Sequence, residues 1–356
     1  MTPRRLAIAI AALPLCAWAG DPVPYTVGMR LHGGFILPHH KSVHILQDRH
    51  ALGGEVHVQR WFSGGRPWHG HYRRPAWGVS ALWMRTGSGH MGNAVRVLPY
   101  LELPLTAPGG WELAFRTGWG VGLVQHPFHR VENHKQHAVG SHVNIAAQGA
   151  LAVRRHLGRH AVDAGIALDH LSNGSMQQPN LGVNIASLSV GWSYRLGDAP
   201  PPAPVPDTAW HAAGRRWAEV MVNGGTNEVG SVGTGRGAVV ALAASVYHRA
   251  SAKSAVGAGI DVFNKATAAI VDTALAGRPA LARTQAGVHA GYALLFGRLA
   301  LHAEVGTYIR SPLQESAPIY TRIGMRHTFA RRFFANFSLK SHFFVADHFE
   351  LGLGYR

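Results

Sequence analysis

Polarity alternates residue by residue in stretches of about ten, and no apolar run after the first twenty residues is long enough for a spanning helix. In 111–121, Trp111, Leu113, Phe115, Trp119 and Val121 oppose Glu112, Arg116 and small glycines. In 55–62, Val56, Val58 and Phe62 oppose Glu55, His57 and Gln59. Side chains on a strand alternate between faces, so each stretch has one apolar and one polar side. Repeated along a whole chain, that pattern describes the wall of a transmembrane β-barrel, apolar towards lipid and polar towards the interior. A soluble β-sandwich is the alternative, and the number of segments favours the barrel.

Strand candidates in the first half are 26–37, 53–63, 76–86, 94–105, 111–123, 140–155, 161–172 and 184–196. The run from Asp198 to Pro206 holds five prolines and cannot pair in a sheet, because proline lacks the N–H donor. Beyond it come 217–226, 236–250, 253–264, 283–295, 298–310, 320–329, 332–342 and 347–356. The fold expected is an all-β, antiparallel outer-membrane barrel, with eight strands in the first half and about 14–16 in total. Residues 20–197 form the first unit and 198–215 a Pro-rich periplasmic connection; the strands of 216–356 are expected to complete one larger barrel. Aromatics near strand ends, such as Trp61, Trp77, Trp83, Tyr100 and Trp192, suit interfacial girdles.

Residues 1–19 read as a secretory signal. Arg4 and Arg5 precede an apolar run from Leu6 to Leu15, and Ala17-Trp18-Ala19 is a small-x-small cleavage site. The single cysteine, Cys16, lies inside it, so the exported chain has no disulfide or thiolate chemistry. The formal net charge is +16. On an exported barrel, anionic lipid headgroups are better partners than nucleic acid. Histidines number 24, but there is no H-E-x-x-H or tight Cys/His spacing, so neither metal nor cofactor is expected. Nothing in the sequence decides between a monomer and a homo-oligomer. Asp163, Asp169, Glu55 and Glu112 fall on the polar face and are expected to pair with interior Arg or Lys.

The chemistry concentrates at the end of the seventh segment. Val162, Ala164, Ile166 and Leu168 share a face, which His170 and Ser172 continue. A base and a hydroxyl on a lipid-facing wall suggest an enzyme acting on lipid. H-x-S alone is weak, and His40-Lys41-Ser42 repeats it in a loop. The longer string His170-Leu171-Ser172-Asn173, then Gln178-Pro179-Asn180-x-Gly182, resembles the PagL-type lipid A 3-O-deacylases, or acyloxyacyl hydrolase-like outer-membrane proteins. Tyr100-Leu101-Glu102-Leu103-Pro104-Leu105, Trp111-Glu112-Leu113 and Arg116-Thr117-Gly118-Trp119-Gly120 add to the likeness, which covers 26–196. The remainder is similar to the longer members of the group found in Bacteroidetes-type bacteria.

The resemblance implies removal of the ester-linked acyl chain at the 3-position of lipid A, in the outer leaflet of the outer membrane. It implies His170 as general base, Ser172 as nucleophile, and Asn173 and Asn180 in the oxyanion hole. Where the family's triad has a glutamate, this chain has Asn184, which can orient the imidazole but not balance its charge. Lys41, Arg49, Arg130 and Lys135 are candidates for holding lipid A phosphates. A non-catalytic barrel, pore or structural, is the competing reading.

Overall fold

The computed structural model describes residues 24–62, 64–106, 109–198, 216–230, 232–313, 317–343 and 345–356. The signal segment and most of the Pro-rich connection lie outside the described residues. The first eight strands are Tyr25–Leu37 (β1), Ala51–Trp61 (β2), Ala76–Arg85 (β3), Asn93–Pro104 (β4), Trp111–Val124 (β5), Val143–Leu157 (β6), His160–Ser172 (β7) and Val183–Leu196 (β8). The next eight are Arg216–Glu228 (β9), Arg236–Arg249 (β10), Ser254–Lys265 (β11), Thr284–Phe296 (β12), Leu299–Arg310 (β13), Ile319–Thr328 (β14), Phe333–His342 (β15) and Val345–Tyr355 (β16). Neighbouring strands pair antiparallel, and all alternate as their sequences dictate.

The strands form two closed eight-stranded barrels, not one wide one. β1 pairs with β8 over its whole length, from Tyr25↔Leu196 to Leu37↔Asn184, which leaves no edge on which β9 could add. β9 closes instead on β16, from Leu351↔Gly224 to Tyr355↔Val220. Alternation specifies which face a residue takes and is silent about which strand the last one meets; this is why the expectation of a single larger barrel fails.

The outer faces carry Met29, Leu31, Ile166, Leu188 and Val190 on the first barrel and Val220, Leu242, Ile260 and Leu351 on the second, all exposed. That apolar exterior suits lipid. An eight-stranded barrel is just wide enough for side chains to fill it, and both are filled by ion pairs. Glu55 meets Arg116 at 2.7 Å, Arg96 at 2.9 Å and Arg30 at 3.2 Å. Asp163 pairs with Arg30 at 2.8 Å, Asp169 with Arg96 at 2.7 Å and Glu112 with Arg154 at 2.9 Å. All four acids thus face inward and are paired, as their parity requires.

In the second barrel, fully buried Arg322 binds Glu304 at 2.5 Å, Glu350 at 2.7 Å and Asp261 at 3.2 Å. Removing one partner from such a network strands the remaining charges in a low-dielectric interior. Arg322→Met is therefore expected to destabilise the second barrel by about 3–5 kcal/mol. Urea unfolding in detergent micelles measures it; an unchanged midpoint would mean that the network contributes nothing to stability.

Loops at the two ends are unequal. At one end lie 38–50, 125–142, 173–182 and 266–283; at the other, turns such as 158–159, where Gly158 takes φ +66°, are mostly short, with the exception of 62–75, which carries the short helix Pro67–His71. Long loops on one side are the outer-surface signature of such barrels. The barrels touch at both ends and along the wall: Tyr72 stacks on Phe296 at 4.4 Å, and Trp119 meets Phe337 edge-on at 5.8 Å.

Candidate active site

β7 delivers His170 and Ser172 to the outer wall, at the end bearing the long loops. His170 lies opposite Ala147 on β6 and Asn184 on β8, and Ser172 lies opposite Ile145. His170 is half-buried, whereas Ser172 is 4% exposed. Both point away from the lumen, by the same parity as the exposed Ile166 and Leu168.

The imidazole is oriented from β8: His170 Nδ1 lies 2.7 Å from Asn184 Oδ1. Its other edge rests on Gly182, which has φ +78°, and a Cβ there would stand 2.8 Å from His170 Cε1. Only glycine combines that backbone with that approach. Among the described residues, no hydrogen bond joins His170 to Ser172; the serine Oγ accepts from Gly174 N–H at 3.3 Å. Catalytic hydrogen bonds are often long or absent until substrate is bound.

The loop after Ser172 folds back on itself. Asn173 N–H donates to Asn180 Oδ1 at 2.8 Å, and Asn173 Nδ2 donates to Gln177 O at 2.8 Å and Ser141 Oγ at 3.0 Å. Asn173, a sequence candidate for the oxyanion hole, thus has its amide hydrogens engaged in holding the loop. Asn180 differs: its Nδ2 is buried and has no partner. A buried donor without a partner is costly unless something arrives to accept from it. Sequence reasoning missed Gly174, whose backbone N–H is the donor that reaches the Ser172 hydroxyl.

The second barrel braces the same loop. Gln178 N–H donates to Glu228 Oε2 at 2.6 Å, Glu228 N–H to Ser175 O at 2.7 Å, and Ser175 Oγ to Ala346 O at 2.6 Å. Gly174 lies so close to the Phe349 ring that a Cβ would clash with it at 2.1 Å. Nothing in the sequence pattern marks Glu228 or Phe349, because their contact depends on how two separately closed barrels sit together.

One step down the wall, an open groove of about 980 Å³ crosses the outer face, lined by Gly33, Phe35, Leu52, Gly149, Leu168 and Ala186. Leu168 and Ala186 are two residues below His170 and Asn184 on their strands, a drop of roughly 7 Å. Small residues form its floor and larger apolar ones its sides, a shape for a hydrocarbon chain.

Two other histidine–serine arrangements are structural. His40 Nδ1 accepts from Ser42 N–H at 3.2 Å and caps the short 3-10 helix Lys41–Leu46. In the second barrel, Ser245 Oγ lies 3.1 Å from His289 Nε2, and His289 Nδ1 lies 2.6 Å from Asp261. That set has the connectivity of a triad but is buried inside the barrel, where Asp261 also binds Tyr320 and Arg322. Of the basic loop residues, Lys41, Arg49 and Lys135 are exposed, while Arg130 donates to the Val232 carbonyl of the second barrel.

Two family models match the chain: lipid A 3-O-deacylase (PagL) over residues 52–193, and the acyloxyacyl hydrolase C-terminal domain over 217–356. No curated protein matches significantly. Among solved structures, the outer membrane enzyme PagL is similar at 15% identity and TM-score 0.34, covering 46% of this chain and 97% of its own. Neisserial surface protein A (NspA) is similar at 9% identity and TM-score 0.35, covering 49% and 97%. A Rhodopseudomonas blastica porin triple mutant follows at 8% identity and TM-score 0.20, covering 94% and 99%. At these TM-scores the structural likenesses carry no functional argument.

Proposed function

The chain belongs to the lipid A 3-O-deacylase (PagL) family and is an outer-membrane β-barrel protein, and from that premise we propose that it hydrolyses the ester-linked 3-hydroxyacyl chain of lipid A, with Ser172 as nucleophile and His170 as base. The observation that carries the reading is the His170–Asn184 hydrogen bond of 2.7 Å, made on the outer wall two residues from Ser172 and just above the apolar groove.

In the proposed reaction, His170 Nε2 takes the proton from Ser172 Oγ as the oxygen attacks the ester carbonyl carbon. The negative charge that develops on the carbonyl oxygen is met by Asn180 Nδ2 and Gly174 N–H, donors fixed before substrate arrives. Collapse breaks the bond to the sugar oxygen, which leaves as a hydroxyl after receiving the proton from His170. Water, deprotonated by the same imidazole, then attacks the acyl-serine and releases the 3-hydroxy fatty acid, regenerating Ser172. The groove holds the acyl chain while the reaction proceeds, so the lipid need not leave the leaflet. Exposed Lys41, Arg49 and Lys135 lie on the loops at the same end, where lipid A phosphates would stand.

Mass spectrometry of lipid A from Gram-negative cells with and without the expressed protein tests this. The expected product lacks one 3-hydroxyacyl chain and keeps its sugar backbone. Identical lipid A from both cultures would leave a non-catalytic barrel that retains the family fold.

A further inference from the structure

Asn184 creates a difficulty that a carboxylate would not. Its amide has one face that accepts and one that donates, and only the accepting face can hold His170 with a bare Nε2. The two faces are nearly equal in shape, so something must choose between them. We propose that His39, which follows β1, makes this choice and is a positioning residue of the active site.

The inference follows the hydrogens outward from a group with only one role. His39 Nε2 lies 2.8 Å from the Leu181 carbonyl oxygen. A carbonyl only accepts, so Nε2 carries the hydrogen. In a neutral imidazole the other nitrogen is then bare. His39 Nδ1 lies 3.1 Å from Asn184 Nδ2 and accepts from it. With its NH₂ group committed to His39, Asn184 turns Oδ1 towards His170, at 2.7 Å. His170 Nδ1 must therefore carry a hydrogen, and its Nε2 is left free to accept one. A backbone carbonyl thus sets the tautomer of the base through a histidine and an amide. His39 is exposed on the outer wall, so its effect is that of an orienting contact and not of a buried charge.

This inference rests on the proposed role of His170, but one arm of its test does not require turnover. The ¹⁵N NMR signals of His170 report its tautomer in the full-length protein in detergent micelles, and their loss in His170→Gln assigns them. The wild type is expected to show the Nδ1–H form, and His39→Ala a mixture of both forms. In Asn184→Asp both side-chain oxygens accept, so adding His39→Ala to it is expected to leave the Nδ1–H form intact. The kinetic arm follows the same logic on purified lipid A in mixed micelles. His39→Ala lowers kcat about tenfold at unchanged KM in the Asn184 protein, has little effect in Asn184→Asp, and is partly rescued by His39→Gln, whose carbonyl can accept from Asn184. A single unchanged tautomer in His39→Ala, or equal losses in both backgrounds, would overturn the assignment. A wild type that shows the expected tautomers and no hydrolysis would instead overturn the deacylase reading and leave the role of His39 in place.

Discussion

Ser172→Ala abolishes acyl release while leaving the barrel folded: the expected fall in kcat is on the order of 10⁵–10⁶, the scale seen when the nucleophile of a serine hydrolase is removed. The methyl group fits the space of the hydroxymethyl, and the only described hydrogen bond lost is the 3.3 Å contact from Gly174 N–H. The variant should therefore keep the wild type's unfolding midpoint and its migration on unheated gels. Activity and stability are expected to separate because the hydroxyl makes a single 3.3 Å hydrogen bond in the fold and, in the proposed reaction, forms the bond to the acyl carbon. Purified protein acting on lipid A in micelles, with fatty-acid release followed over time, measures the effect. A loss smaller than tenfold would mean that water, and not this serine, attacks the ester.

Asn184→Asp is expected to act in the opposite direction and raise kcat about 10–100-fold. In a Ser-His-Asp triad, changing the acid to its amide lowers kcat by roughly 10⁴, chiefly because the amide stabilises the wrong tautomer of the histidine. Here the hydrogen-bond chain proposed above already supplies the correct tautomer, with Asn184 Oδ1 2.7 Å from His170 Nδ1. What the amide cannot supply is a negative charge beside the imidazolium that forms during attack. Only that share of the loss remains to be recovered, so the gain should be well short of the full factor. A decrease on substitution would show that the carboxylate pulls His170 out of place, and that the site is built around the amide.

The strands themselves were legible because period-two alternation is a local property. The fifth, read as 111–123, runs Trp111–Val124, and the last, read as 347–356, runs Val345–Tyr355. Alternation puts the start of the sixth at 140, but the strand starts at Val143, because Gly140 and Ser141 are committed to the loop: Ser141 Oγ donates to Val143 O and accepts from Asn173. The same alternation placed Asn184 within reach of His170. Asn173 and Asn180 were recognisable as a pair, but not which of them would be left with a free donor, since that depends on how the loop folds back. His39 was beyond reach: its partner Asn184 is 145 positions away, and only the closure of β1 on β8 brings them together. Closure is also what the alternation could not specify, which is why one wide ring was expected where two narrow ones form.

Two solid cylinders have a consequence for the cell as well as for the fold. Among the described residues, guanidinium and carboxylate groups pair across the interior of each barrel, and packing of that kind in an eight-stranded barrel is expected to oppose the passage of ions, which planar-bilayer conductance measures. On the proposed deacylase reading, the protein changes the envelope from its outside surface, by altering the lipids it floats among.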